Sequence, residues 1–211
     1  MRFKKRLFNR QILEMAMNLR SVFLVSFLAT QLSILFGGIT FAKCITPKLD
    51  PKLNSETSIK ISEFGDWVTM VDENPKQCWA FSRPLGSSVR QPSDDDEFCR
   101  SESIFYILYE PGGNIRGQPS IKFGYNLSDE VDPKIFIDRK SQALSIVVGE
   151  YAWFENSILD SAIFELLLKE NLVHVVGLSK DGHMVADKFS LSGFHQSTLA
   201  ARNACSSYPL V

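Results

Sequence analysis

Seven short runs of β-branched and aromatic residues constrain the fold of this chain more than any other feature. They lie at 58–61, 67–71, 78–82, 103–109, 120–125, 134–138 and 144–148. Clusters of Gly, Pro, Asp and Asn separate the runs, and short strands divided in this way are typical of antiparallel sheets. In one run, Ile135 and Ile137 alternate with Lys134, Phe136 and Asp138, which gives one aliphatic and one mostly polar face. The pattern predicts a mainly β domain, either an antiparallel β-sandwich or a barrel-like sheet.

Two helices are predicted among and after these strands. Apolar residues recur at three- and four-residue steps over 157–171, which indicates one amphipathic helix with Ser157 as its N-cap. A short C-terminal helix is predicted at 198–205. Between the helices, the runs 172–179 and 184–191 predict a final hairpin, because the Asp-Gly pair between them is a strong turn signal.

The first 42 residues have the order of a secretory signal peptide: a basic stretch, fifteen mostly apolar residues at 22–36, a glycine pair and then small residues. The small Thr40 and Ala42 predict cleavage before Lys43. If translation starts at Met15 or Met17, the basic stretch before the apolar run is shorter. The sequence does not decide between these starts. An uncleaved anchor is the alternative, since 22 residues of helix span roughly 33 Å.

Behind the signal peptide, the sequence predicts an extended arm at 43–57 and a single β-rich domain at 58–211. A long polar loop at 83–102 interrupts the domain and is expected to be either a disordered spacer or the first candidate for a recognition surface. It contains four consecutive acids at 94–97. Their spacing lacks the alternate positions and the glycine of a calcium loop, which favours a solvated loop.

The charge of the mature part argues against nucleic acid as a partner. Removing residues 1–42 leaves 17 Lys and Arg against 23 Asp and Glu, a net charge of about −6. Such a domain repels phosphate backbones. Membrane contact is expected only through the signal segment before cleavage.

Four cysteines follow the cleavage point: Cys44, Cys78, Cys99 and Cys205. An even number in an exported chain predicts two disulfides in an oxidising compartment. Separations of 34, 21 and 106 residues match neither a redox motif nor a zinc-ligand pair. Four cysteines allow three pairings, and spacing does not choose among them.

No motif for catalysis, cofactor binding or metal binding is present, so we expect no enzyme, no cofactor and no metal site. The histidines are His174, His183 and His195. They are predicted on a strand, in a turn and at a helix start, with no two at ligand spacing, which favours structural roles. The tryptophans are Trp67, Trp79 and Trp153. Each adjoins a predicted strand, so we expect them in the core rather than stacked on a ligand.

Six short motifs occur in a specific order along the mature chain. They are FGDW at 64–67, QCWAFSRP at 77–84, GEYAW at 149–153, VVGLS at 175–179, DKFSLSGF at 187–194 and AC at 204–205. In this order they resemble the invasion-associated locus B family, over about 64–205. The resemblance implies a small, β-rich, exported protein of alphaproteobacteria, and it supplies no catalytic residues.

The same resemblance implies a disulfide pairing. Cys78 and Cys205 match recurrent cysteines of the family, which implies a Cys78–Cys205 bond. A Cys44–Cys99 bond then follows by elimination, and it would tether the arm to the 83–102 segment. We therefore expect both pairs in the folded protein.

These features predict an exported, non-enzymatic interaction protein, located in the periplasm or at the outer membrane. Its expected partner is an envelope or surface macromolecule, and the family name implies a contribution to host-cell interaction. The alternatives are a small envelope hydrolase with an unrecognised active site and a structural envelope component. A deep cleft with convergent titratable groups would favour the hydrolase, whereas an exposed apolar patch or open sheet edge would favour the binder.

Overall fold

The structure is a computed structural model that describes residues 44–45, 58–73, 76–92, 98–111 and 115–206. The predicted signal peptide at 1–42, the cleavage before Lys43, most of the arm and the acidic run at 94–97 lie outside the described residues. In chain order the strands are β1 (Cys44–Ile45), β2 (Ser58–Phe64), β3 (Trp67–Glu73), β4 (Lys76–Ser82), β5 (Pro84–Arg90), β6 (Cys99–Arg100), β7 (Ile104–Tyr109), β8 (Arg116–Lys122), β9 (Lys134–Ile137), β10 (Lys140–Ala143), β11 (Ile146–Val148), β12 (Tyr151–Trp153), β13 (Leu172–Leu178) and β14 (Met184–Ser190). The helices are α1 (Ser157–Leu167) and α2 (Phe194–Ser206).

Two antiparallel sheets form the domain, which confirms the predicted mainly β, sandwich-like fold. The larger sheet has seven strands in the order β11-β12-β8-β7-β4-β3-β2, and the smaller has five in the order β10-β9-β13-β14-β5. A short parallel pair, β1 with β6, stands beside them. The predicted final hairpin is β13 with β14, paired in register from Leu172–Ser190 to Leu178–Met184.

The core lies between the smaller sheet, the two helices and one face of the larger sheet. Phe105 on β7 meets Phe189 on β14 with ring centroids 5.7 Å apart, edge to face. Trp67 on β3 meets Phe194 on α2 at 5.0 Å in the same geometry. Such pairs each contribute about 0.5–1.5 kcal/mol beyond the area that they bury. The Thr69 hydroxyl also donates to the Ser197 carbonyl of α2 at 3.1 Å, which fixes α2 against β3.

Both helices differ from their predicted bounds. The cap of α1 is Asn156 rather than Ser157, because the Asn156 side-chain oxygen accepts from the amides of Ile158 and Leu159 at 3.1 and 3.0 Å. Asn and Ser are about equally good caps, so the sequence alone could not separate them. α1 ends four residues earlier than predicted, and α2 begins four residues earlier, directly after Gly193 at φ 85°.

The prediction of one long polar loop at 83–102 is wrong in part. Its first half is β5, which pairs with β14 at the edge of the smaller sheet. Most of β5 is exposed, so its polar sequence shows no buried alternation. The run predicted at 144–148 is also interrupted, since β11 begins only at Ile146, while Leu144 fills the core.

Neither α1 nor α2, the helices of the described residues, has the length and apolar character that a bilayer crossing requires.

Candidate binding groove

The Cys78–Cys205 disulfide joins β4 to α2, with the two Cα atoms 5.8 Å apart. This is the pair that the family resemblance implies, and such a bond is compatible with an exported protein. Cys99 is disulfide-bonded, and the register of β1 with β6 places Cys44 directly opposite it. The Cys44–Cys99 pairing stays a prediction for peptide mapping.

A buried ion pair that the sequence analysis missed joins β6 to β14. Arg100 donates to Asp187 through two bonds, of 2.8 and 2.6 Å, and the side chains are 6% and 1% exposed. Arg100 also donates to the Ser87 hydroxyl at 2.6 Å and to the Phe123 carbonyl at 3.2 Å. Ser87 in turn donates to Asp187 at 2.5 Å. The network fixes β6, which follows the acidic run, against the smaller sheet. No local sequence pattern predicts it.

The histidines do not converge on one site. His183 is buried and stacks on Phe98 with ring centroids 4.5 Å apart, and neither ring nitrogen has a hydrogen-bond partner among the described residues. His174 is exposed, as strand alternation predicts, and His195 is exposed on α2. Within the described ranges, no group of three or more His, Cys, Asp or Glu side chains could hold a metal ion.

Tyr125, which shares Phe98 as an edge-to-face neighbour at 5.4 Å, also carries a buried hydroxyl without a partner among the described residues. Burial raises the pKa of this hydroxyl, and the Asp187 carboxylate raises it further, while Arg100 acts in the opposite direction. The hydroxyl is therefore a fixed neutral group beside the ion pair. It lies in the core and is closed to a ligand.

A polar cleft of about 330 Å³ lies between α1 and α2. Arg116, Glu165, His195 and Arg202 line it together with Ser161. The Ser161 hydroxyl donates to the Ser157 carbonyl of its own helix at 2.8 Å, so its proton is directed away from His195. The cleft therefore gathers titratable groups, but its described residues show no nucleophile-to-base hydrogen bond of the kind found in acyl-transfer sites.

An aromatic groove lies on the outer face of the larger sheet, opposite the helices and the smaller sheet. It has a volume of about 380 Å³. Its lining comes from β4, β7, β8, β11 and β12 and consists of Gln77, Trp79, Tyr106, Leu108, Gln118, Ser120, Val148, Tyr151 and Trp153. We call this set the outer groove. Strand alternation puts these residues on one face, while their neighbours Ala80, Ile107 and Ala152 point into the core.

The outer groove continues into a second apolar cluster on the same face. That cluster contains Met70, Phe81 and Ile104, with Trp79 and Tyr106 shared between the two. An antiparallel sheet usually buries one face and exposes polar side chains on the other. Here the middle of the larger sheet is apolar on both faces, and the residues of this second cluster are at most 7% exposed.

Four described side chains, Gln77, Trp79, Gln118 and Ser120, bring amide, indole and hydroxyl groups to the outer groove. The indole Nε1 of Trp79 is buried and has no hydrogen-bond partner among the described residues. Gln77 donates through Nε2 to Glu110 at 2.7 Å, which orients its amide and leaves the carbonyl oxygen as an acceptor. Gln118 and Ser120 are half-buried on β8 and bring an amide and a hydroxyl. None of the nine lining residues among the described part of the chain carries a formal charge, while Lys122 lies opposite Tyr151 in the strand register.

The tryptophans divide between core and groove. Trp67 is fully buried in the main core, as expected from the sequence. Trp79 is 3% exposed but belongs to the outer cluster, and Trp153 is half-buried in the groove wall. The expectation that all three would fill the core is therefore wrong for Trp153. The sequence of β7 could have predicted that the larger sheet is apolar on its outer face, because an uninterrupted apolar sequence is typical of a strand buried on both faces.

The motifs that carry the family resemblance meet in the fold as packing contacts. The Asp66 amide donates to the Ser192 carbonyl at 3.0 Å, and the Trp67 indole donates to the Ser190 carbonyl at 2.8 Å. Gly193 has φ 85°, and a Cβ there would lie 1.7 Å from the Phe64 carbonyl oxygen. Only glycine fits such an approach. These contacts fix the motif at 64–67 against the motif at 187–194.

No protein-family model, no curated protein and no solved structure matches the chain.

Proposed function

We propose that this chain is an exported, non-enzymatic protein that binds an envelope or surface macromolecule through the outer groove. The observation that carries the proposal is the apolar outer face of the larger sheet, with a groove of about 380 Å³ walled by Trp79, Tyr106, Tyr151 and Trp153. Pockets with apolar and aromatic walls and a few placed polar groups are the usual form of binding sites.

Export to the periplasm or outer membrane is part of the proposal. The signal-like segment at 1–42 and the disulfide between Cys78 and Cys205 support it. The resemblance to the invasion-associated locus B family supports the same location and suggests a role in host-cell interaction. Terminal sequencing of the envelope protein is expected to find Lys43 first, and an N-terminus within residues 1–20 would contradict export with cleavage.

A small envelope hydrolase is the second candidate, and the cleft between α1 and α2 is the observation that favours it. In that case His195 and Glu165 would be the groups to act on a substrate. Substituting His195→Gln would then abolish hydrolysis of an envelope polymer or ester while the domain stays folded. Under the binding proposal, purified protein shows no such turnover, and this substitution leaves binding unchanged.

Photocrosslinking in the producing cells tests the binding proposal. Val148, 59% exposed at the rim of the groove, is replaced by a benzophenone amino acid, and Phe136 on the smaller sheet, 36% exposed, serves as the matched control position. We expect an adduct from position 148 that disappears when Trp153→Ala is added, and no equivalent adduct from position 136. Equal adducts from both positions, or none from 148, would contradict a role for the groove.

A further inference from the structure

We infer that the cleft between α1 and α2 binds a small ligand through a phosphate or carboxylate group. This site is separate from the outer groove, and the proposed function there does not depend on it. Two arginines and a tyrosine hydroxyl converge on the cleft, and no hydrogen bond or ion pair among the described residues uses these side-chain groups. The volume of about 330 Å³ falls within the usual range for small-molecule sites, about 300–1,000 Å³.

On the sheet side of the cleft, Arg116 lies beside Tyr109. The two residues are directly opposite each other in the register of β7 with β8, so their side chains share one face of the larger sheet. Gly117 follows Arg116, and a Cβ on this glycine would lie 3.3 Å from the Tyr109 hydroxyl oxygen. A side chain at this position would crowd the hydroxyl, and glycine leaves space beside it.

On the helix side, α2 brings a second arginine to the same place. The residues of α2 that line the cleft follow three- and four-residue steps, the spacing of one helix face: His195, Thr198, Leu199 and Arg202. Cys205, one turn after Arg202, is bonded to Cys78, and its Sγ lies 3.5 Å from the Tyr109 carbonyl oxygen. The disulfide therefore fixes the turn of α2 that carries Arg202 against β7.

Tyr109 supplies a neutral donor between the two arginines. Burial raises the pKa of its hydroxyl to about 12, while Arg202 acts in the opposite direction. The effect of Arg202 indicates that its guanidinium lies close to the hydroxyl. The hydroxyl keeps its proton at neutral pH and can donate it to an oxyanion. A phosphate or carboxylate group can accept from this hydroxyl and from the guanidinium N–H groups, which form the stronger, charge-assisted bonds.

The charge of the two arginines is not cancelled within the described lining of the cleft. Glu165 on α1 is the one acidic residue of that lining, and no ion pair among the described residues joins it to Arg116, His195 or Arg202. The mature chain has a net charge of about −6, so two arginines against one glutamate form a local positive area on an acidic protein. Such an area attracts anions and disfavours cations.

The cleft also has an apolar wall that suits the rest of an organic acid. Phe164 and Leu168 lie on its α1 side and Leu199 on its α2 side, and the two leucines are exposed. Inorganic phosphate alone would leave this apolar surface in water. An acid with a short alkyl chain would cover part of it, which adds to the affinity. Short-chain alkyl phosphates and fatty acids are therefore the natural probes.

Calorimetric titration of the purified protein with hexyl phosphate, hexanoate and hexan-1-ol tests the inference. The three probes share one alkyl chain and differ in the head group. We expect saturable binding of at least one of the two acids, and binding of hexan-1-ol that is weaker by about tenfold or more. Tighter binding of hexyl phosphate would assign a phosphate ligand, and tighter binding of hexanoate would assign a carboxylate ligand.

Three variants locate the binding. Arg202→Gln removes one guanidinium from the cleft and should weaken binding of the acid by about tenfold or more, because a charge-assisted contact is lost. Arg90→Gln is the matched control, since Arg90 is an exposed arginine on β5 at the edge of the smaller sheet and the change in net charge is the same. It should bind like the wild type. Tyr109→Phe removes only the hydroxyl and should weaken binding by about threefold to tenfold.

Absence of saturable binding of both acids at millimolar concentration would overturn the inference. Equal affinity for hexan-1-ol would also overturn it, because the site would then be apolar. An equal loss in Arg202→Gln and Arg90→Gln would do the same, because it would show a general effect of surface charge. If Arg202→Gln does not fold, Tyr109→Phe decides the question, and unchanged affinity of that variant would contradict the site.

Discussion

The buried pair of Arg100 and Asp187 gives the sharpest stability test of the fold. Arg100→Met removes the guanidinium but keeps a side chain of similar length. The Asp187 carboxylate, 1% exposed, then loses its two charged hydrogen bonds and, among the described residues, retains the bond from Ser87. An isolated buried charge of this kind is strongly unfavourable.

Removing one partner of a buried ion pair typically costs about 3–5 kcal/mol, and we expect Arg100→Met to fall in that range. A domain of this size has a free energy of unfolding of about 5–15 kcal/mol, so the loss is a large fraction of the total. The double substitution Arg100→Met with Asp187→Leu removes both charges. The free energy of unfolding of this double variant should lie within about 1–2 kcal/mol of the wild-type value, since apolar groups can replace a buried pair at little cost.

Urea unfolding of the wild type, both single variants and the double variant measures the coupling energy. We expect a coupling of at least about 2 kcal/mol between the two positions. A cost below about 1 kcal/mol for Arg100→Met, or a double variant that shows the full sum of the two single costs, would refute the reasoning. Either result would mean that water reaches the pair in solution.

Three further predictions concern stability and disulfides. Burial raises the pKa of the Asp160 carboxyl from 3.8 to about 6, so the folded state holds this proton more tightly than the unfolded state. The contribution of Asp160 to stability should therefore be fully present below pH 4 and be lost, by about 1 kcal/mol after allowance for partial hydration, as the pH rises through 6. Asp160→Asn should remove that fall, and an unchanged pH profile in urea unfolding would contradict it. Replacing both Cys78 and Cys205 by Ala opens a loop with a sequence separation of 127 and should cost up to about 5 kcal/mol by the chain-entropy relation, measured by urea unfolding. Non-reducing peptide mapping should find a Cys44–Cys99 peptide, and a Cys44–Cys78 peptide would be the contrary result.

The sequence predicted best where a strand or helix shows its own periodicity. β7 and the hairpin of β13 and β14 were found because their residues are β-branched or aromatic and the turn residues are strong. β5 was missed because an edge strand with most of its side chains in water needs no buried alternation. Only its pairing with β14 reveals it, and that contact spans about a hundred residues of sequence.

The outer groove could be predicted only in part. The uninterrupted apolar sequence of β7, and the Trp79–Phe81 pair on β4, indicate strands that are apolar on both faces. Which residues share the groove depends on the strand order β4-β7-β8-β12-β11, and no local pattern fixes that order. The pairing of Arg100 with Asp187 likewise depends on the positions of β6 and β14 in the fold.

Co-sedimentation of the mature chain with purified envelope fragments tests the binding role of the outer groove most directly. Wild type, Trp153→Ala and Phe136→Ala are compared over a range of protein concentrations, after thermal unfolding has shown that all three are folded. We predict saturable retention of the wild type and of Phe136→Ala, and a loss of affinity of about tenfold or more for Trp153→Ala. Equal retention of all three proteins, or retention of none, would contradict the account.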